Sequence, residues 1–124
     1  MRANLSVLGL VAGATMLLPG AATAACESIT LGAAISLTGK YATNGIHTKN
    51  GYEFAIQKIK DAGGVKVDGK CYNFDVIYYD DESKGDRAAT LAERLINQDK
   101  VQYMLGPYSS GMTKAIAPVT EKYK

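Results

Sequence analysis

Ile29-Thr30-Leu31-Gly32-Ala33-Ala34-Ile35 is an apolar run of strand length, closed by the turn-forming Ser36-Leu37-Thr38-Gly39. It reads as a first strand. A helix is expected from about Gly45, because Tyr52, Ala55, Ile56, Ile59 and Ala62 recur at helical spacing and form one apolar stripe. Gly63-Gly64 ends it, glycine taking the left-handed conformation past a helix end without a Cβ penalty. Gly51 inside this helix costs about 1 kcal/mol relative to alanine, which predicts a close contact there.

Beyond this helix, Val65 to Lys70 is a polar turn or a small hairpin. Tyr72 to Tyr79 make a second strand, with Tyr72, Phe74, Val76 and Tyr78 alternating with Asn73, Asp75, Ile77 and Tyr79. Asp80-Asp81-Glu82-Ser83 ends it. A second helix runs from about Asp86 to Gln98, with Ala88, Leu91, Ala92, Leu95 and Ile96 on one face. Val101 to Leu105 form a third strand, and a third helix starts near Ser109 or Ser110, continuing to or past Pro118. The order β-α-β-α-β-α implies parallel strands joined by right-handed crossovers: an α/β, doubly wound parallel sheet with strand order 2-1-3.

Upstream, Met1 to Ala25 has the make-up of a secretory signal. Arg2 is the positive start, Leu5 to Leu18 the apolar stretch, and Pro19-Gly20 a break before Ala21 to Ala25. Ala22-Thr23-Ala24 is an A-x-A cleavage site, so residues 1–24 read as the signal peptide and 25–124 as the mature segment. A membrane anchor needs about 20 apolar residues, and this run is shorter with no basic cluster behind it. Cys26 and Cys71 precede the first and second strands, so both thiols lie at one edge if those strands are parallel neighbours. In an exported protein this favours a Cys26–Cys71 disulfide over two free thiols. Lipidation of Cys26 is the other reading, although Thr23-Ala24-Ala25-Cys26 lacks the leucine of a lipoprotein signal.

The 124 residues, 47% hydrophobic and 21% charged, make one domain at most. The formal charge of +2 falls by one when Arg2 is set aside, too weak a field for nucleic acid.

Open parallel sheets bind ligands beyond the carboxyl ends of their strands, so three loops matter: Ser36 to Asn44, Asp80 to Asp86 and Gly106 to Thr113. In the last, Gly106-Pro107-Tyr108-Ser109-Ser110-Gly111 puts hydroxyl residues at a helix start, where free N–H groups and the dipole favour an anion. A ligand carboxylate there would bond the Ser110 hydroxyl and adjacent amides; a serine capping its own helix is the plainer role. The first loop offers Ser36, Thr38, Tyr41 and Asn44, with Gly39 and Gly45 letting backbone approach a ligand. Tyr41 is either an aromatic wall or an exposed loop tyrosine. Asp80-Asp81 reads as a solvated turn with a capping role rather than a site.

No catalytic set assembles. His47 is the only histidine and sits at a helix start, and the sequence has no nucleophile elbow, P-loop, GxGxxG or zinc spacing. No cofactor or metal is expected, and an enzyme is the least favoured class.

Gly32-Ala33-Ala34-Ile35-Ser36-Leu37-Thr38-Gly39, Gly45, Gly51 and Asp61-Ala62-Gly63-Gly64-Val65 resemble the opening of the periplasmic binding proteins of the branched-chain amino acid (leucine/isoleucine/valine) type. Tyr79-Asp80-Asp81-Glu82-Ser83, Ala88, Ala92, Leu95, Val101, Gly106 to Thr113 and Ala117-Pro118-Val119 continue the pattern in order. The resemblance implies the N-terminal lobe of a type I periplasmic binding fold, a Rossmann-like sheet. It implies a two-lobed, monomeric receptor that closes on a small carboxylate ligand, an amino acid or aromatic acid, and delivers it to an ABC permease from the periplasm. A ligand-sensing receptor domain of the same fold is the alternative. It places Ser110 first against the ligand carboxylate with Ser109 and Tyr108 beside it, and Asn44 on the pocket wall where relatives often carry an aromatic. Relatives are considerably longer, so the chain is expected to be an N-terminal part that binds weakly, if at all, by itself.

Overall fold

The computed structural model describes residues 25–124, and the signal peptide expected over residues 1–24 lies outside them. The elements are β1 (Glu27–Ile35), α1 (Ala42–Asp61), β2 (Val65–Val67), β3 (Lys70–Asp80), α2 (Gly85–Asn97), β4 (Tyr103–Met104) and α3 (Ser110–Lys122). The sheet order is β2-β3-β1-β4. Its three parallel strands follow the expected 2-1-3 order, with β2 added at one edge.

β1 pairs in parallel with β3 along its whole length, from Glu27 opposite Tyr72 to Ile35 opposite Asp80. On its other side it meets β4 only at Leu31–Tyr103 and Gly32–Met104, so the third strand is shorter than the apolar run suggests. β2 and β3 form the small hairpin, turned at Asp68 and Gly69, both at positive φ. This pairing starts β3 at Lys70, two residues before the aromatic alternation.

β3 shows its two faces by its packing. Ile77 and Tyr79 lie against the core made with α2 and α3, whereas Phe74, Val76 and Tyr78 line a groove beneath α1. The core joins Ala34 of β1 to Ala88, Leu91, Ala92 and Leu95 of α2, with Val101 and with Met112 and Ile116 of α3. The α2 stripe is the one the spacing predicts; Ile96 alone is only half-buried. Gly32 lets α2 come close, since a Cβ there would stand 2.8 Å from Val101 Cγ2 and 3.2 Å from Leu95 Cδ2.

α1 departs from expectation in three ways. It begins at Ala42, not Gly45. Its stripe is only partly covered: Tyr52, Ile56 and Ile59 are half-buried, Ala55 and Ala62 exposed, and Phe54 is 66% exposed. Gly51 makes no close contact; the tight approach belongs to Gly45, where a Cβ would fall 1.8 Å from the Ser36 carbonyl oxygen. The glycine therefore presses the start of α1 onto the end of β1 and not onto a ligand. α3 runs through Pro118 to Lys122. No described helix is long and apolar enough to cross a membrane.

Cys26 and Cys71 form a disulfide across the starts of β1 and β3, with Cα atoms 4.5 Å apart. Beneath it lies the end of α1. Gly63 and Gly64 have φ of 82° and 86°, and their amides donate to Lys60 and Ile59 carbonyls, the glycine cap the sequence predicts. A Cβ on Gly64 would stand 2.7 Å and 2.8 Å from the two sulfurs.

Candidate functional site

The carboxyl ends of β1, β3 and β4 bring together three loops, and each contributes differently. Residues 36–41 lead into α1, 81–84 into α2, and 105–109 into α3.

Tyr41 and Tyr108, from the first and third loops, face one another with ring centroids 6.1 Å apart and planes tilted by 52°. This separation is in the range aromatic pairs prefer. Tyr108 is 46% exposed, so the pair presents open aromatic surface. The Lys40 ammonium lies 5.1 Å from the Tyr41 ring centroid.

Ser109 is the N-cap of α3: its hydroxyl accepts from the Met112 amide at 3.2 Å, and its carbonyl receives the Thr113 amide. The plainer of its two expected roles is present. Ser110 is exposed at the first position of the helix, beside the unpaired amides every helix start leaves. Asn44 lies in the first turn of α1, not in a loop, and is exposed; its carbonyl takes the Thr48 hydroxyl.

The second loop was expected to be a solvated turn. Asp81 is instead fully buried, its Oδ1 accepting from the Ser36 hydroxyl at 2.6 Å and the Ser83 amide at 2.7 Å. Its Oδ2 is buried with no hydrogen-bond partner among the described residues. Asp80 Oδ1 accepts from the amides of Leu37, Thr38 and Glu82, and its Oδ2 from the Thr38 hydroxyl. Partial burial pushes the Asp80 carboxyl up, but these four hydrogen bonds together outweigh it and hold the group below the ordinary carboxylate range. The Ser83 hydroxyl accepts from the Tyr41 amide at 2.9 Å and donates to the Thr38 carbonyl at 2.8 Å. Gly39, read as room for a ligand, makes room for this turn: a Cβ there would stand 2.7 Å from the Glu82 carbonyl oxygen.

Tyr52 supplies a second tie that its place in the apolar stripe conceals. Its hydroxyl donates to the Gly106 carbonyl at 2.7 Å, linking α1 to the loop before α3. His47 is exposed on α1. Among the described residues, no three histidine, cysteine or acidic side chains gather as a metal site.

The arrangement is a one-sided aromatic and hydroxyl-lined shelf at a helix N-terminus, suited to holding an anion-bearing small molecule by non-covalent contacts. The sequence profile described as periplasmic binding protein matches residues 28–124, and the chain belongs to that family. Leu/Ile/Val-binding protein homolog 3 of Brucella melitensis is 30% identical over 116 residues, covering 94% of this chain and 30% of the relative. The branched-chain amino acid transporter substrate binding protein LivJ of Streptococcus pneumoniae, solved with isoleucine, is 31% identical with a TM-score of 0.69, over 78% of this chain and 27% of that one. An ABC transporter solute binding protein of Rhodopseudomonas palustris, solved with 3,4-dihydroxy benzoic acid, is 29% identical with a TM-score of 0.62, over 77% and 24% of the two chains. The chain thus spans under a third of the length of these relatives.

Proposed function

We propose that this chain is the N-terminal part of an exported, monomeric receptor of an ABC importer. Residues 1–24 direct export to the periplasm, and residues 25–124 form the N-terminal part of the ligand-binding domain, within one lobe. The receptor captures a small carboxylate, an amino acid or an aromatic acid, and presents it to a membrane permease. It holds its ligand without covalent chemistry.

The observation that carries this reading is the start of α3, set at the carboxyl edge of a parallel sheet and flanked by the Tyr41–Tyr108 pair. A carboxylate there takes charge-assisted hydrogen bonds from the Ser110 hydroxyl and the first amides of α3, bonds roughly twice as strong as neutral ones. Ser109 supports it through backbone, its hydroxyl being used as the cap. Tyr108 and Tyr41 form the wall against the rest of the ligand, and Asn44 stands at the rim. Carboxylate is the group shared by the isoleucine and the 3,4-dihydroxy benzoic acid held by two relatives. An opposing lobe closing by hinge bending completes the enclosure.

Titration calorimetry tests the proposal in the full-length protein that carries this segment, with isoleucine, leucine, valine and 3,4-dihydroxybenzoate as probes. Binding of at least one probe at micromolar or tighter affinity is expected, and Ser110→Ala weakens it. The absence of heat with every probe, confirmed by an unchanged melting temperature, would overturn the ligand class. Residues 25–124 alone should bind the same probe weakly or not at all, since one lobe leaves most of the ligand in water.

A further inference from the structure

The turn between β3 and α2 holds two consecutive non-glycine residues in the left-handed region, Glu82 at φ 52° and Ser83 at φ 62°. Such residues persist only where their surroundings over-determine them, and they collect at ligand clamps. Glycine at position 83 would adopt this backbone without penalty. Serine brings a hydroxyl, and that hydroxyl is fully employed: it accepts from the Tyr41 amide at 2.9 Å and donates to the Thr38 carbonyl at 2.8 Å. Asp80 and Asp81 hold the turn and the neighbouring loop in place. Asp81 Oδ1 receives the Ser83 amide, and Asp80 receives the amides of Leu37 and Thr38 and the Thr38 hydroxyl. Position 39 must be glycine for the two loops to meet, because a Cβ would stand 2.9 Å from Ser83 Oγ. The side chain of Tyr41, held by its own amide in this way, is the one that packs on Tyr108.

We infer that Ser83 is a positioning residue for the ligand site: its turn stays in an unfavourable backbone conformation so that its hydroxyl sets the place of Tyr41. The inference rests on the ligand reading above, and Ser83 itself touches no ligand.

The test compares Ser83→Ala with Ser83→Gly in the full-length protein. Both delete the hydroxyl, but alanine keeps the strained backbone and glycine relaxes it. Isoleucine and 3,4-dihydroxybenzoate affinities are measured by calorimetry, melting temperatures by calorimetric scan, and exchange of the Tyr41 amide by NMR. Both variants should lose affinity equally, by about fivefold, the change that about 1 kcal/mol of lost positioning of Tyr41 converts to. S83G should melt about 2 °C or more above S83A. Exchange of the Tyr41 amide should rise by about tenfold or more in both. Affinity that follows melting temperature, with S83G binding better than S83A, would reduce Ser83 to a structural role and overturn the inference, as would unchanged Tyr41 exchange. If the wild-type protein binds neither probe, the ligand reading fails, and the exchange measurement still decides whether Ser83 places Tyr41.

Discussion

The Tyr52 hydroxyl donates to the Gly106 carbonyl at 2.7 Å, so a residue in the middle of α1 holds the loop that opens α3. Tyr52 is a protonated phenol, and so a donor, at neutral pH, and burial pushes its titration further above the ordinary value. Tyr52→Phe keeps the ring and removes one neutral hydrogen bond worth about 1 kcal/mol. The expected result is a severalfold loss of ligand affinity by calorimetry in the full-length protein, with the melting temperature lowered by only about 2 °C.

Ser109 and Ser110 should separate cleanly. Ser109→Ala deletes the α3 cap and should cost about 1 kcal/mol of stability in urea unfolding while altering affinity little. Ser110→Ala should leave stability within about 0.5 kcal/mol, because the residue is exposed, and weaken carboxylate binding about tenfold or more. A reversed pattern would move the anion site off Ser110.

Removing the disulfide as Cys26→Ser with Cys71→Ser reopens a separation of 45 residues and should destabilise the protein by roughly 4 kcal/mol in the chain-entropy view. In the unreduced protein Cys26 and Cys71 should both escape alkylation, as read by peptide mass mapping. Gly64→Ala should act in the same direction, because alanine is strained at φ 86° and its Cβ meets both sulfurs.

Acid should weaken the fold through two carboxylates held below their ordinary value of 3.8. Hydrogen bonds from Lys60 and Ser28 lower Asp75, and for Asp80 the bonds described above outweigh burial. A depressed folded value means the contribution is fully present above the unfolded pKa and is lost as pH falls through the folded one. The melting temperature should therefore be insensitive to these two groups above about pH 5 and fall below about pH 4. Asp80→Asn should lower the melting temperature at pH 7 and flatten the acid limb.

The parallel order of the strands, the α2 stripe and the Cys26–Cys71 pairing were legible because each follows from local pattern or from strand ends brought to one edge. The start of α1 was not, because Tyr41 offers no capping side chain; the helix is instead begun by the Gly39 turn, with the Ala42 amide on the Gly39 carbonyl. Gly51 and Gly45 look alike in sequence, and only the path of β1 decides which is crowded. For the site, the serine-rich start of α3 was readable as a helix terminus. The residues that hold it in place were not: Tyr52 reads as part of a stripe, Asp81 as a solvated turn and Ser83 as a loop serine. The partners by which they tie the loops together, Gly106, Ser36 and Tyr41, lie 42 to 54 positions away, a distance at which no periodicity speaks.

The covalent brace and the glycine cap sit where β1 begins, and the three loops sit where it ends, about 30 Å away along nine residues. Such a division favours diversification. On the proposed ligand reading, substitutions can accumulate among Tyr41, Asn44 and Tyr108 while the crosslinked end keeps the strands in register, so new ligand preferences can be explored without re-solving the fold. For the engineer of a small-molecule sensor, the crosslinked end is the place for an immobilising tag and the far end the place for a library.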